Sequence, residues 1–163
     1  MTQGRAGQQP PPVRTLFVCM GNICRSPIAE GVFHSRAAEL APHRCLEADS
    51  AGTHGYHAGQ PPDARAQLVA RGHGLDISGL RARQLGREDF DQFDWILVMD
   101  QRNYSDVLLV APAGAQERVR LLLDFVPDLK SKEVPDPYYG RVSDFELAYD
   151  LIDRAVCSLL TTF

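Results

Sequence analysis

The chain has no long apolar run. Nothing in its 163 residues approaches the roughly 20 needed to span a membrane, and its first residues lack the apolar core of a signal peptide. Neither a membrane association nor export is expected. A surplus of positive charge is missing too: 17 lysines and arginines stand against 21 acidic side chains, a net charge of −4. No overall basic field is there to hold nucleic acid or an anionic membrane. Cysteine is scarce. Cys19, Cys24, Cys45 and Cys157 are too few and too unevenly spaced for a disulfide framework, which favours a reduced, cytoplasmic setting. The nucleotide-binding pattern Gly-x-x-x-x-Gly-Lys-Ser/Thr occurs nowhere. His54-x-x-His57 is the nearest approach to a metal motif, but no acidic or thiol ligand accompanies it, so that segment reads as a solvated loop. No metal and no cofactor are expected.

What is present is ordinary for a globular domain, with 44% hydrophobic and 23% charged residues. Residues 1–12 are polar, rich in Gly, Gln and Pro and without periodicity, and read as a disordered leader. Residues 13–163 read as one domain. A continuously apolar strand is expected over Arg14–Val18. A helix follows, with Ser26 as N-cap, Pro27 as its first residue and a buried stripe of Ile28, Val32, Phe33, Ala37 and Leu40. A second strand is expected over Leu46–Ala51, and Asp63 caps a helix running to about Arg71. Trp95–Met99 is the strongest strand candidate, Asp100 caps the next helix, and Val119–Leu123 makes a fourth strand. A long loop over 124–141 precedes a final helix with Ser143-x-x-Glu146 as its capping box. Strands alternating with helices predict a parallel sheet covered on both faces, with the site at the carboxyl ends of the strands.

One stretch of that site carries chemistry. Cys19-Met20-Gly21-Asn22-Ile23-Cys24-Arg25-Ser26-Pro27 joins the first strand to the first helix. Successive backbone N–H groups in a curled loop make an anion nest, and the helix N-terminus adds a favourable dipole. Arg25 offers a planar fork to two oxygens of a phosphate. Cys19 lies at the base of this positive bowl, which complements a thiolate, the nucleophilic form of cysteine. Gly21 allows close backbone approach, Asn22 tolerates a left-handed conformation, and Ser26 can donate its hydroxyl to the sulfur. Met20, Gly21, Asn22, Ile23, Cys24, Arg25 and Ser26 are the expected phosphate-binding residues.

This run, extended through Ile28-Ala29-Glu30, resembles the signature of low-molecular-weight protein tyrosine phosphatases. Asp49-Ser50-Ala51-Gly52-Thr53, Val98-Met99-Asp100-x-x-Asn103 and Asp136-Pro137-Tyr138-Tyr139-Gly140 match further blocks of that family in the same order, so the likeness runs from about residue 14 to the C-terminus. The resemblance implies an α/β single domain with a four-stranded parallel sheet and helices on both faces, the phosphotyrosine phosphatase I-like architecture. It implies metal-free hydrolysis of phosphotyrosine in a protein or peptide, inhibited by phosphate or vanadate. Cys19 becomes the nucleophile, Arg25 the phosphate clamp and Asp136 the general acid and base. Without the resemblance, Asp136 would read as a turn residue between prolines. Met20, Ile23, Tyr56 and Tyr138 become pocket walls, although each tyrosine alone reads equally as a surface aromatic. Ser50 and Asp100 become supports of the phosphate loop. Cys24 becomes a partner for reversible oxidation of Cys19, with a small buried filler as the equal alternative. Leu80 departs from the family, many members of which carry histidine there.

Three rival functions share features of this pattern. An arsenate reductase needs an extra pair of cysteines after the second helix, and residues 75–95 contain none. A phosphoarginine phosphatase resembles the chain less at Ile23 and Tyr138, where such relatives look to have Thr and Phe. Against a phosphate-binding or redox module without turnover stands the presence of both Cys19 and Asp136, since binding alone would need neither.

Overall fold

The computed structural model describes Gly7 and residues 10–163. The expected disordered leader over 1–12 lies largely outside the described residues, and Pro10, Pro11 and Pro12 are exposed without regular structure.

Four parallel strands form the sheet: β1 (Val13–Cys19), β2 (Leu46–Gly52), β3 (Trp95–Val98) and β4 (Val119–Leu121), in the order β2-β1-β3-β4. Strands buried on both faces are apolar at every position, and Leu16, Phe17 and Val18 of β1 are fully buried. Alternate side chains feed two cores. Phe17, Cys19, Leu97 and Met99 join the core beneath α1 (Arg25–Leu40), α2 (Ala64–Gly72) and α5 (Val142–Leu160). Leu16, Val18, Ile96 and Val98 join the opposite core, under α3 (Asp89–Gln92) and α4 (Gln101–Val110). The predicted α/β architecture, with helices on both faces of a parallel sheet, is the one observed.

The strand order places the site. From β1 the chain crosses to β2 on one side, and from β3 it crosses to β4 on the other. The segments leaving β1 and β3 therefore diverge at the carboxyl edge and open a crevice between them. Cys19 ends β1, and Asp100 is the second residue after β3.

Four local expectations are corrected. The first helix begins at Arg25, with Cys24 and not Ser26 at its cap, because the curled loop delivers Arg25 directly into the first turn. The Ser26 hydroxyl is turned inward to other partners. Leu40, expected in the buried stripe, is exposed in the last turn. The fourth strand stops at Leu121, and Leu122–Phe125 is a 3₁₀ turn that buries both Leu122 and Leu123. The final helix starts two residues earlier than the Ser143-x-x-Glu146 pattern predicts, with Arg141 and not Ser143 at its N-cap. Asp144 Oδ2 accepts from the Arg141 N–H at 2.7 Å, and Glu146 pairs with His73 at 3.0 Å.

Candidate active site

The loop between β1 and α1 is curled by bonds on its outer side. The carbonyls of Cys19, Met20 and Ile23 accept from the N–H groups of Thr53, His54 and Asp63 at 2.9, 3.0 and 2.8 Å. With the carbonyls drawn outward, the N–H groups of Gly21, Asn22, Ile23 and Cys24 donate to no acceptor among the described residues. That is an anion nest, open at the N-terminus of α1. The β2 end passes so close beneath it that a Cβ on Gly52 would lie 2.8 Å from the Met20 carbonyl oxygen and 3.1 Å from the Asn22 nitrogen. Only glycine fits there.

Asn22 holds the curl in place. Among the described residues it alone, apart from glycines, has positive φ, at 58°. Asparagine tolerates that region better than most side chains, and its amide makes the conformation useful. Nδ2 donates to Ser26 Oγ at 2.8 Å and to Ser50 Oγ at 2.9 Å, while Oδ1 accepts from the Arg83 N–H at 3.0 Å. Ser26 Oγ lies 3.0 Å from Cys19 Sγ. Arg83 is itself clamped by Asp49 and Asp89, with contacts between 3.0 and 3.2 Å. Leu80 is half-buried and packs against the apolar core.

Arg25 is 2% exposed. Its Nη1 donates to Asp100 Oδ2 at 2.7 Å and to the Val134 carbonyl at 2.8 Å. Asp100 is fixed in turn as the N-cap of α4, accepting from the Asn103 N–H at 2.8 Å. The opposite edge of the guanidinium, Nε and Nη2, has no hydrogen-bond acceptor among the described residues, and Nη2 stands 3.7 Å from Asp136 Oδ2. Burial opposes the charge on Arg25. The negative Cys19 sulfur and the Asp100 carboxylate outweigh it, so the guanidinium titrates above its ordinary range. Burial pushes the Cys24 thiol up, and the charge on Cys19 adds to the rise.

These groups share one cavity of about 280 Å³, lined by the loop, Arg25, Tyr56, His57, Asp136, Tyr138 and Tyr139. Asp136 sits at its mouth, Oδ1 accepting from the Tyr138 N–H at 3.1 Å in an Asx turn. Tyr56, 72% exposed, stacks on His54 with ring centroids 5.1 Å apart. All the residues expected to bind phosphate or wall the pocket thus lie on the loop, in the first turn of α1 or around this cavity, and Ser50 and Asp100 lie behind it.

Sequence reasoning missed several of its members. His57, assigned to a solvated loop, instead lines the cavity, half-buried, with its ring 6.2 Å from that of Tyr138 and Nδ1 3.0 Å from Gln60 Oε1. A side chain on Gly21 would meet that ring at 2.9 Å. Tyr139 lines the mouth as well. Arg65 ties α2 to the Asp136 loop, donating to the Tyr138 and Gly140 carbonyls at 2.8 and 2.9 Å with its guanidinium over the Phe145 ring. It is also paired with Asp63, which holds that carboxyl below its usual range. No local pattern in the sequence marks an arginine that acts 75 residues away. Among the described residues the grouping nearest to a metal-ligand set is His73, Glu146 and Asp150, on the α2–α5 face and outside the cavity.

A family model described as low molecular weight phosphotyrosine protein phosphatase matches residues 14–163. The chain is 39% identical over 150 residues to the low molecular weight protein-tyrosine-phosphatase YfkJ of Bacillus subtilis, a match covering 92% of this chain and 95% of the relative. It is 43% identical over 147 residues to the low molecular weight phosphotyrosine protein phosphatase of Homo sapiens, covering 89% and 92%. The crystal structure of a protein tyrosine phosphatase from Entamoeba histolytica, with Hepes in its active site, matches with a TM-score of 0.87 at 36% identity, covering 92% of this chain and 96% of that one.

Proposed function

The chain belongs to the low molecular weight phosphotyrosine protein phosphatases and is a phosphoric monoester hydrolase, and from that premise we propose that it hydrolyses phosphotyrosine in proteins or peptides through a cysteinyl-phosphate on Cys19. One observation carries the reading: the nucleophile, the nest of N–H groups and the unpartnered edge of Arg25 converge on a single cavity.

In the first step the Cys19 thiolate attacks phosphorus, an S–P bond forms, and the bond from phosphorus to the tyrosyl oxygen breaks. Asp136, as the acid, gives its proton to that oxygen, so a phenol leaves rather than a phenolate. The equatorial oxygens gain negative character as this happens. The N–H groups of residues 21–24 and the Nε–Nη2 edge of Arg25 are fixed before the substrate arrives and need no reorganisation to meet that charge. In the second step Asp136, now a carboxylate, takes a proton from water as the water oxygen attacks phosphorus. The S–P bond breaks, and Ser26 donates to the departing sulfur across 3.0 Å. Phosphate is released and Asp136 is again an acid. Vanadate and inorganic phosphate would occupy the same nest as inhibitors.

The rim supports an aromatic ester. Tyr56 and Tyr138 line the cavity, where aromatic side chains suit a phenyl ring. A cytoplasmic location, where thiols stay reduced, belongs to the same proposal, since all four cysteines are free. For the described residues, no helix is long and apolar enough to cross a membrane.

The test is a side-by-side rate comparison of phosphotyrosine, phosphoserine, phosphoarginine and arsenate on the purified protein. Phosphotyrosine should be hydrolysed fastest by about 10²-fold or more in kcat/KM. Faster turnover of phosphoarginine, or reduction of arsenate, would overturn the assignment.

A further inference from the structure

Two loops face each other across the cavity, one carrying Cys19 and the other Asp136, and the second is held at few points. Val134 anchors its near end. The Val134 N–H donates to the Met99 carbonyl at 2.8 Å, and the Val134 carbonyl accepts from Arg25 Nη1 at 2.8 Å. Beyond Val134 the bonds close on the loop itself. The Tyr138 N–H donates to Asp136 Oδ1 at 3.1 Å, and the Gly140 N–H donates to the Pro137 carbonyl at 2.8 Å. Among the described residues, one side chain from outside the segment 135–140 makes hydrogen bonds to it, and that side chain is Arg65 of α2.

A guanidinium has five N–H donors in a fixed fork. Arg65 engages four of them: Nε and Nη2 donate to the two oxygens of Asp63 at 3.0 and 2.9 Å, the second Nη2 proton goes to the Tyr138 carbonyl at 2.8 Å, and Nη1 donates to the Gly140 carbonyl at 2.9 Å. The face of the fork lies 4.5 Å from the ring centroid of Phe145, which is fully buried in α5. Asp63 is fixed as well. Its carboxylate caps α2 by accepting from the Arg65 N–H at 2.8 Å, and its own N–H donates to the Ile23 carbonyl of the Cys19 loop at 2.8 Å. A continuous path therefore runs from Ile23 through Asp63 and Arg65 to the carbonyls of Tyr138 and Gly140.

We propose that Arg65 is a positioning residue for Asp136: with Asp63 it forms a strut between the Cys19 loop and the Asp136 loop that fixes the distance of the acid from the nucleophile. This rests on Asp136 being the general acid. An acid must stand within hydrogen-bond reach of the oxygen it protonates, and the Asp136 carboxyl is tied through its Asx turn to Tyr138, the residue whose carbonyl Arg65 holds. Pro137 is buried and seats the loop by packing, so loss of the strut displaces the acid without releasing the whole segment. The shape of the fork matters as well as its charge. Asp63, Tyr138 and Gly140 are met at once by a planar guanidinium, whereas a lysine ammonium is a point charge on a flexible stem.

The experiment compares wild type and Arg65→Met by three readouts: kcat/KM for phosphotyrosine and for nitrophenyl phosphate, calorimetric binding of vanadate, and amide hydrogen exchange at Tyr138 and Gly140, which needs no turnover. Arg65→Met should lower kcat/KM about tenfold for phosphotyrosine, whose leaving oxygen needs a proton, and less than about twofold for nitrophenyl phosphate. Vanadate should bind within about twofold of wild type, since the nest is intact, and exchange at the two amides should quicken. In an Asp136→Ala background, Arg65→Met should add little further loss, because it acts through the carboxyl already removed. Equal losses on the two esters, unchanged exchange, or multiplying losses in the double variant would each overturn the proposal. Should Arg65→Met not fold, Arg65→Lys carries the same test: the same loss of phosphotyrosine against nitrophenyl phosphate is expected, and wild-type rates there overturn it. Asp136→Ala with undiminished phosphotyrosine turnover would overturn the proposed acid, while quickened exchange in Arg65→Met would leave the strut standing.

Discussion

The floor and the rim of the cavity are built in opposite ways. On the floor, Cys19, Asn22, Arg25 and Ser26 are buried, and the polar atoms of the Asn22 and Ser26 side chains all have partners at 3.0 Å or less. Those partners reach out to β2, α1 and the segment around Arg83, so the geometry of the floor is held by the whole interior. On the rim, Tyr56 and Tyr139 are largely exposed, the latter 96%, and Asp136 is held by a turn of its own loop. In the proposed mechanism the floor meets the same phosphate whatever the substrate. In that mechanism the rim meets whatever carries that phosphate, and its exposed tyrosines can change with less disturbance to the chemistry beneath.

Substitutions can break or sharpen that contrast. The largest effect belongs to the floor. Cys19→Ser should lower the hydrolysis of an aryl phosphate by about 10⁴-fold or more while phosphate or vanadate still binds, since the nest and Arg25 remain. Substantial residual turnover, measured on protein shown by calorimetry to bind vanadate, would remove Cys19 as the nucleophile. Asp136 stands at the boundary between the two regions and should give a substrate-dependent loss. Asp136→Ala is expected to slow phosphotyrosine hydrolysis about 10²- to 10³-fold and nitrophenyl phosphate far less, because nitrophenolate leaves without protonation. Equal losses on the two esters, compared as kcat, would argue against its role as acid. The smallest effect belongs to the outer rim. Tyr56→Ala should raise KM for phosphotyrosine about three- to tenfold and leave kcat within about twofold, the signature of lost aromatic contact made equally in the ground and transition states. A matching fall in kcat would mean that the rim also shapes the floor, and the contrast would fail.

Much of this molecule was legible in the chain alone. The apolar run before Cys19, the strands at Leu46 and Trp95, and the caps at Asp63 and Asp100 all follow from local composition, and each element lies within a few residues of its expected place. Errors came where tertiary demands overrode local preference. Ser26 is a good N-cap residue by type, yet its hydroxyl serves Cys19 and Asn22, so the helix starts without it. Nothing local separates Leu121 from Leu122 and Leu123, yet the chain turns after Leu121 and buries both following leucines. His57 carries no mark in the sequence that separates it from His54. Only the folding of its loop over Gly21 puts one ring in the cavity and leaves the other beside Tyr56.

The sequence by itself determined the contiguous part of the site: a thiol, a run of N–H groups and a guanidinium within one turn, between a strand and a helix. Their proximity is enforced by the covalent chain, so a short window suffices to read it. The tertiary structure alone decided what stands behind and above that turn. Ser50 beneath it, Arg83 beside it, Asp100 and Val134 against Arg25, and Arg65 holding the Asp136 loop come from separate elements. They meet because a parallel sheet gathers its carboxyl-end loops at one crevice, where the strands on either side of β1 and β3 part. Those partnerships are long-range hydrogen bonds between buried groups, and no local propensity encodes which distant residue will satisfy which donor.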